Sequence, residues 1–168
     1  ERRDFRHHEP DTTNNRMELT GARLALEYLA ARGRRLRVLA VSDSEYLVKG
    51  MREWVPGWRA RGWRRKGGAI ENLGLWQELV AAADRHDVQW AWVRGHVGHP
   101  KNEYADHLAV RAAGGDAGPG GLEPSGLLQW LAVRRARKQY VGYDPDADYD
   151  RLARIAGGAV PLRLEESA

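Results

Sequence analysis

"LRVLAVSD", residues 36 to 43, decides how the rest of the chain is read. It is a short, nearly unbroken run of branched and aliphatic residues that ends in an acid. Such continuity predicts a strand buried on both faces, as in a parallel sheet, rather than the alternation of a half-exposed strand. Upstream, Leu19, Ala22, Leu26 and Leu29 fall on one stripe and predict a helix from about Arg16 to Ala31. Asn15 followed by Glu18 fits a capping box at its start, and Gly33 lies just beyond its end. Downstream, a second helix is expected from Ser44 to about Trp54, with Tyr46, Leu47, Gly50, Met51 and Trp54 on or near its inner face. A third, capped by Asn72, carries Leu75, Trp76, Leu79, Val80 and Ala83. "VQWAWVRG", residues 88 to 95, reads as another strand, and after a loop Pro100 suits the first turn of a helix. This alternation of helices and strands predicts an α/β fold.

The main domain is expected over residues 1 to 113. "GGDAGPGG", residues 114 to 121, is a linker by composition, and residues 122 to 168 form a C-terminal extension. Within the extension an amphipathic helix is expected from Leu127 to Tyr140, where Leu127, Leu128, Leu131 and Val133 would dock on the domain or on a partner. An acidic stretch from Asp144 to Asp150 precedes a short helix over Arg151 to Ile155. The acidic stretch fits a calcium loop poorly, because Tyr149 stands where the sharp turn needs Gly.

The composition is that of a soluble globular chain, and no stretch has the length and apolarity of a membrane span. Cysteine is absent, which excludes disulfides and thiolate metal sites and agrees with a reducing, cytoplasmic setting. Charge is unevenly placed. Residues 1 to 113 carry 20 basic and 15 acidic side chains, and the remainder 7 and 8, so any attraction to polyanions belongs to the first part. It concentrates in "REWVPGWRARGWRRK", residues 52 to 66, where six cations and one acid are interleaved with Trp54, Trp58 and Trp63. Cations neutralise phosphates, and aromatic faces pack on sugars and bases, so the mixture suits nucleic acid. The alternative is a solvated basic helix whose tryptophans pack into the core.

Three acids lie at element ends: Glu18 in the first turn of its helix, Asp43 at the end of a strand, and Asp106 early in the helix after the second strand. Sheets of this class collect ligands at the carboxyl ends of their strands. Carboxylates converging there would select hard cations, Mg²⁺ or Mn²⁺. Two such ions about 3.5–4 Å apart activate a water and stabilise the leaving oxygen of a phosphodiester. His96, in a Gly-His-Val-Gly-His loop, could move protons near neutral pH. Taken singly, each acid also reads as a helix cap, and His96 as an ordinary loop residue.

"TTNNRMEL", "VSDSEYL", "WVPGWRARGW", "NLGLWQEL" and "VRGHVGHPKNEYADHLA" together resemble, in order and spacing, successive motifs of bacterial type 1 ribonuclease H over about residues 9 to 113. The resemblance implies a ribonuclease H-like mixed sheet flanked by helices. It implies a metal-dependent endonuclease that cuts the RNA strand of RNA–DNA hybrids, leaving 5′-phosphate and 3′-hydroxyl ends. It implies Glu18, Asp43 and Asp106 as ligands of two Mg²⁺ ions, with Mn²⁺ a possible substitute. His96 would assist proton transfer or product release. Asn14 and Asn15 would face the minor groove of the hybrid, where 2′-hydroxyls mark the RNA strand. Thr13 and Asn72 would hold a phosphate of the DNA strand. Trp54, Trp58, Arg59, Arg61, Trp63 and Lys66 would belong to the basic protrusion that cradles that strand. Trp76, Trp90 and Trp92 are left as core candidates. Glu45 departs from the family, many members of which carry an amide there. A monomer acting on hybrid without a membrane is expected.

The family begins with a β-hairpin and a third strand before "TTNNRMEL", and the first strand carries an Asp that bridges both metals. Here only "ERRDFRHHEPD" precedes Thr12, and Asp4 and Asp11 stand in no apolar strand context. The expectation is therefore a chain lacking those N-terminal strands, weakly active or inactive as it stands. The alternative is a catalytically impaired module of the same descent that grips hybrid or duplex. "QYVGYDPD", residues 139 to 146, is a poor substitute strand, because Pro145 follows its acid at once.

Overall fold

The computed structural model describes residues 2–95, 98–116 and 118–147. In chain order the elements are β1 (Arg3–Asp4), α1 (Asn14–Ala30), β2 (Arg37–Ser42), α2 (Glu45–Lys49), a π-helical turn (Gly50–Trp54), α3 (Val55–Ala60), α4 (Leu73–Ala83), β3 (Asp87–Trp92), α5 (Pro100–Ala113), β4 (Glu123–Pro124) and α6 (Leu127–Ala136). They form two compact units. One combines the segment ending at Thr12 with Val93–Asp146, and the other is built on Thr13–Trp92. The short helix expected over Arg151 to Ile155 lies outside the described residues, as do residues 148–150 of the acidic stretch before it.

In the Thr13–Trp92 unit, β2 and β3 pair in parallel, Arg37 opposite Asp87 through Ser42 opposite Trp92. The parallel strand expected at residues 36 to 43 is present, but it is not buried on both faces: its residues are half-buried or exposed. Parallel pairing needs a long crossover, and the helices α2 to α4 supply it. They bury Leu19, Leu47, Val48, Trp76, Leu79 and Trp90 in one apolar core. The single helix expected over Ser44 to Trp54 is instead an α–π–α run that continues to Ala60. Pro56 stands in the first turn of α3 and has no N–H to give. Immediately before it, the Val55 N–H reaches back five residues to Gly50 O, which is the widened π turn. Gly50 is required at that place, because a Cβ there would sit 1.9 Å from Cη2 of the buried Trp76.

The other unit holds the short antiparallel β1–β4 pair and the helices α5 and α6. Asp4 is buried in a two-residue strand, which differs from the expectation of no strand context. Its Oδ2 accepts the Tyr104 hydroxyl and, at 3.0 Å, the Gly126 amide. Burial, and after it the bond to Asp4, pushes the Tyr104 phenol up to about 12. Tyr104, Leu108, Leu127 and Leu131 form the core of this unit, so residues after the Gly-rich segment pack on α5. The helix α6 stops at Ala136 rather than Tyr140, because Lys138 and Tyr140 take left-handed backbone angles that an α-helix does not continue through.

Candidate functional site

The segment Ser42-Asp43-Ser44 joins the end of β2 to the start of α2, and it is held from several sides. The Ser44 amide donates to Ser42 Oγ at 3.0 Å, Ser44 Oγ caps α2 by accepting the Leu47 amide at 3.2 Å, and the Trp92 indole donates to the Asp43 carbonyl at 3.0 Å. Ser42 Oγ already accepts from Ser44, so its own hydrogen is left to give to the Glu18 carboxylate, with which it is hydrogen-bonded. Glu18 is half-buried on α1 beside Asp43. Burial pushes the Glu18 carboxyl above its ordinary value, the Asp43 charge pushes it the same way, and the Ser42 bond partly opposes both. Two carboxylates that repel one another where a strand ends, one of them partly desolvated, form a donor set that suits a hard divalent cation.

This geometry corrects the capping expectation. Thr13, not Asn15, is the N-cap of α1, its Oγ1 accepting the Arg16 amide at 3.3 Å. Glu18 turns to Ser42 and Asp43 instead of back to its own helix start. Asn14 and Asn15 are the first two residues of α1, with Asn14 exposed and Asn15 half-buried. Asp106 is exposed on α5, in the other unit, and His96 lies outside the described residues. Among the described residues no group of three or more His, Asp or Glu side chains is close enough to hold a metal. Asp4 is committed to Tyr104 and Gly126.

Asn72 stands at the N-cap position of α4 but does not cap it. Its backbone is left-handed, and its Nδ2 donates to the Tyr46 hydroxyl at 3.3 Å. Trp54 is half-buried and meets the Tyr46 ring edge-on at 5.7 Å, and Trp58 is buried behind it. Tyr46, Trp54, Trp58, Arg65 and Glu71 line a cavity of about 300 Å³. Arg61 and Lys66 are exposed, and Trp63 is half-buried against the core at a left-handed turn. Arg59 is not brought to this cleft. Its guanidinium pairs with Asp84 at 2.9 Å, beside a separate depression lined by Arg35, Pro56, His86 and Trp90. Trp76 and Trp90 are buried as expected, but Trp92 is 37% exposed and braces Asp43.

Ser42, Tyr46 and Trp92 are the functional neighbours that sequence reasoning missed. Ser42 and Tyr46 flank Asp43 in "VSDSEYL", which is the one signal that could have found them. Trp92 is brought in by pairing across 50 residues, which no local pattern reveals.

Fold and site together define an α/β protein with paired acids at the carboxyl end of a parallel strand, next to an aromatic cleft with a basic rim. The sequence profile described as RNase H matches residues 1–114, including the eleven residues before "TTNNRMEL". Ribonuclease H of Acidithiobacillus ferrooxidans is 52% identical over 117 residues, covering 66% of this chain and 72% of that protein. Ribonuclease H of Pelobacter propionicus is 50% identical over 111 residues, covering 66% of each. The crystal structure of LC9-RNase H1, described as a type 1 RNase H with the type 2 active-site motif, superposes with a TM-score of 0.71 at 53% identity. That match covers 78% of this chain and 63% of the solved one. A foamy viral protease-reverse transcriptase, solved with an RNA/DNA hybrid, shares the fold at 21% identity and a TM-score of 0.50. The chain belongs to the RNase H family. It spans about two thirds of the length of these bacterial relatives.

Proposed function

We propose that the protein is a metal-dependent endonuclease that hydrolyses the RNA strand of RNA–DNA hybrids. The observation that carries this reading is the Glu18–Asp43 pair at the end of β2, held by Ser42 and Trp92. Membership of the RNase H family and the 50–52% identity to bacterial proteins named Ribonuclease H support it. Glu18 and Asp43 would hold Mg²⁺, with Asp106 completing the set and Mn²⁺ an alternative ion. When bound, the metal supplies a hydroxide-like water and neutralises charge on the phosphate. The chain's own residues do the rest. Ser42 fixes the Glu18 rotamer, Trp92 fixes the Asp43 backbone, and His96 would move a proton. Thr13, Asn14, Asn15 and Asn72 would grip the hybrid, and Trp54, Trp58, Arg61, Trp63 and Lys66 would carry its DNA strand, with Arg59 at the margin. Residues 1–113 would be the catalytic part, residues 114–121 a linker and residues 122–168 an accessory segment. No helix among the described residues is long and apolar enough to cross a membrane, and a monomeric protein of the cytoplasm fits this reading.

A second reading, a module that binds hybrid without cutting it, is favoured by one observation. Asp4, the first aspartate in the sequence, is spent on Tyr104 and Gly126. One assay separates the two. A labelled RNA–DNA hybrid is incubated with the chain and Mg²⁺, and binding is followed in parallel in EDTA. Cleavage by the chain that Asp43→Asn abolishes, with binding retained, supports the nuclease. Binding without cleavage supports the module, and cleavage by Asp43→Asn at the parental rate refutes the metal assignment.

A further inference from the structure

We propose that Tyr46 is the positioning residue for Asn72: its hydroxyl receives Asn72 Nδ2 and Trp76 Nε1 together and so fixes which atoms Asn72 offers to a nucleic-acid phosphate. The proposal rests on the reading that Asn72 meets the backbone of the bound hybrid.

A phenol oxygen has one hydrogen to give and two acceptor sites. Trp76 Nε1 can only donate, and it does so to Tyr46 at 3.1 Å. Asn72 Nδ2 donates at 3.3 Å. The hydroxyl hydrogen goes to the Glu71 carbonyl at 3.5 Å. The capacity of the oxygen is thereby filled, and one of the two Nδ2 hydrogens of Asn72 is used. The second Nδ2 hydrogen takes no part in this network, and a phosphate oxygen, which only accepts, matches it.

The oxygen is itself held firmly. Trp76 is fully buried, and its ring lies 5.2 Å from that of Tyr46. Trp54 closes the other side edge-on at 5.7 Å. Asn72 cannot fix itself in the usual way. At the N-cap position it has left-handed backbone angles, φ 54° and ψ 32°, and makes no side-chain bond to α4. An N-cap residue ordinarily sits in the β region and caps its own helix. Its carboxamide has exchanged that bond for Tyr46, a residue 26 positions away. Tyr46 lies in the first turn of α2, three residues beyond Asp43. The segment that presents the acid therefore also presents the group that orients Asn72.

The test is a double-mutant cycle on the full chain, with affinity for a short RNA–DNA hybrid measured in EDTA. Tyr46→Phe keeps the ring and deletes only the oxygen. Asn72→Ala is expected to weaken binding on the order of tenfold, as for a lost bond to a charged group. Tyr46→Phe is expected to weaken it at least threefold, and the double variant to be no weaker than Asn72→Ala alone. A purely structural Tyr46 would give additive losses. A second readout needs no nucleic acid: the Asn72 side-chain amide signals in a ¹⁵N–¹H spectrum should be displaced in the parent chain and move toward random-coil positions in Tyr46→Phe. If Asn72→Ala weakens binding and Tyr46→Phe is additive with it or silent, positioning is overturned while the hybrid reading stands. If Asn72→Ala leaves binding intact, or the parent chain binds no hybrid, the reading of Asn72 fails and the proposal falls with it.

Discussion

Gly50→Ala isolates the packing on which the site depends. Gly50 has helical backbone angles, so alanine there meets no conformational penalty and gains about 1 kcal/mol of helix propensity. Against that, the new Cβ would lie 1.9 Å from Trp76 Cη2 and 2.7 Å from Cζ2 and Cζ3, where contact carbons need about 3.5–4.0 Å. Trp76 has no exposed surface and is wedged against Trp54, Trp58 and Tyr46, so the ring cannot simply rotate away. Overpacking of this kind costs about 1–3 kcal/mol. Displacing the indole also strains its bond to Tyr46, a further loss of about 1 kcal/mol. The net destabilisation is then about 1–3 kcal/mol, a fall in Tm of roughly 2–12 °C for a chain of this size. Thermal unfolding followed by tryptophan fluorescence measures it, and hybrid affinity should fall as well, because Tyr46 and Asn72 move with Trp76. An unchanged or raised Tm would refute the reasoning, since it would mean that the π turn has room for a methyl group.

Glu18→Gln should abolish Mg²⁺-dependent cleavage and yet stabilise the fold at neutral pH. The raised folded titration of Glu18 costs nothing below its ordinary value of 4.5, and stability is lost as pH rises through the raised one. The gain of the glutamine chain over the parent should therefore appear above pH 4.5 in parallel melts, and a gain independent of pH would contradict the assignment. Charge reversal at exposed Arg61 and Lys66 should weaken hybrid binding and flatten its salt dependence. The same change at Arg59, already paired with Asp84, should do less, and equal effects at all three positions would argue against the separation of the two depressions. Tyr104 contributes stability below pH 10.0 that is lost toward about pH 12, because the unfolded phenol ionises first. Alkaline melts of Tyr104→Phe should lack that part of the decline, and identical slopes for the two chains would count against it.

The sequence by itself determined the order of the main helices and of β2 and β3, their parallel pairing and most of the core around them. Apolar periodicity records which face of each helix meets the others, so Leu19, Leu26, Trp76 and Leu79 were identifiable as buried before any coordinates. It also determined the family, because "TTNNRMEL" and "VSDSEYL" preserve residue types at spacings that one fold requires. Three features were decided only by tertiary structure. Thr13 caps α1 in place of Asn15, and Glu18 is drawn to Ser42 and Asp43, 24 and 25 residues further on. Asn72 left its own helix for Tyr46. Arg59, indistinguishable from Arg61 in a basic run, found Asp84. For the half-buried Glu18 and Asn72, burial settled the competition between a local partner and a distant one, because a polar group removed from water binds whatever partner the packing places within reach. The Arg59–Asp84 pair is exposed, and there the fold decided only which acid stands within reach.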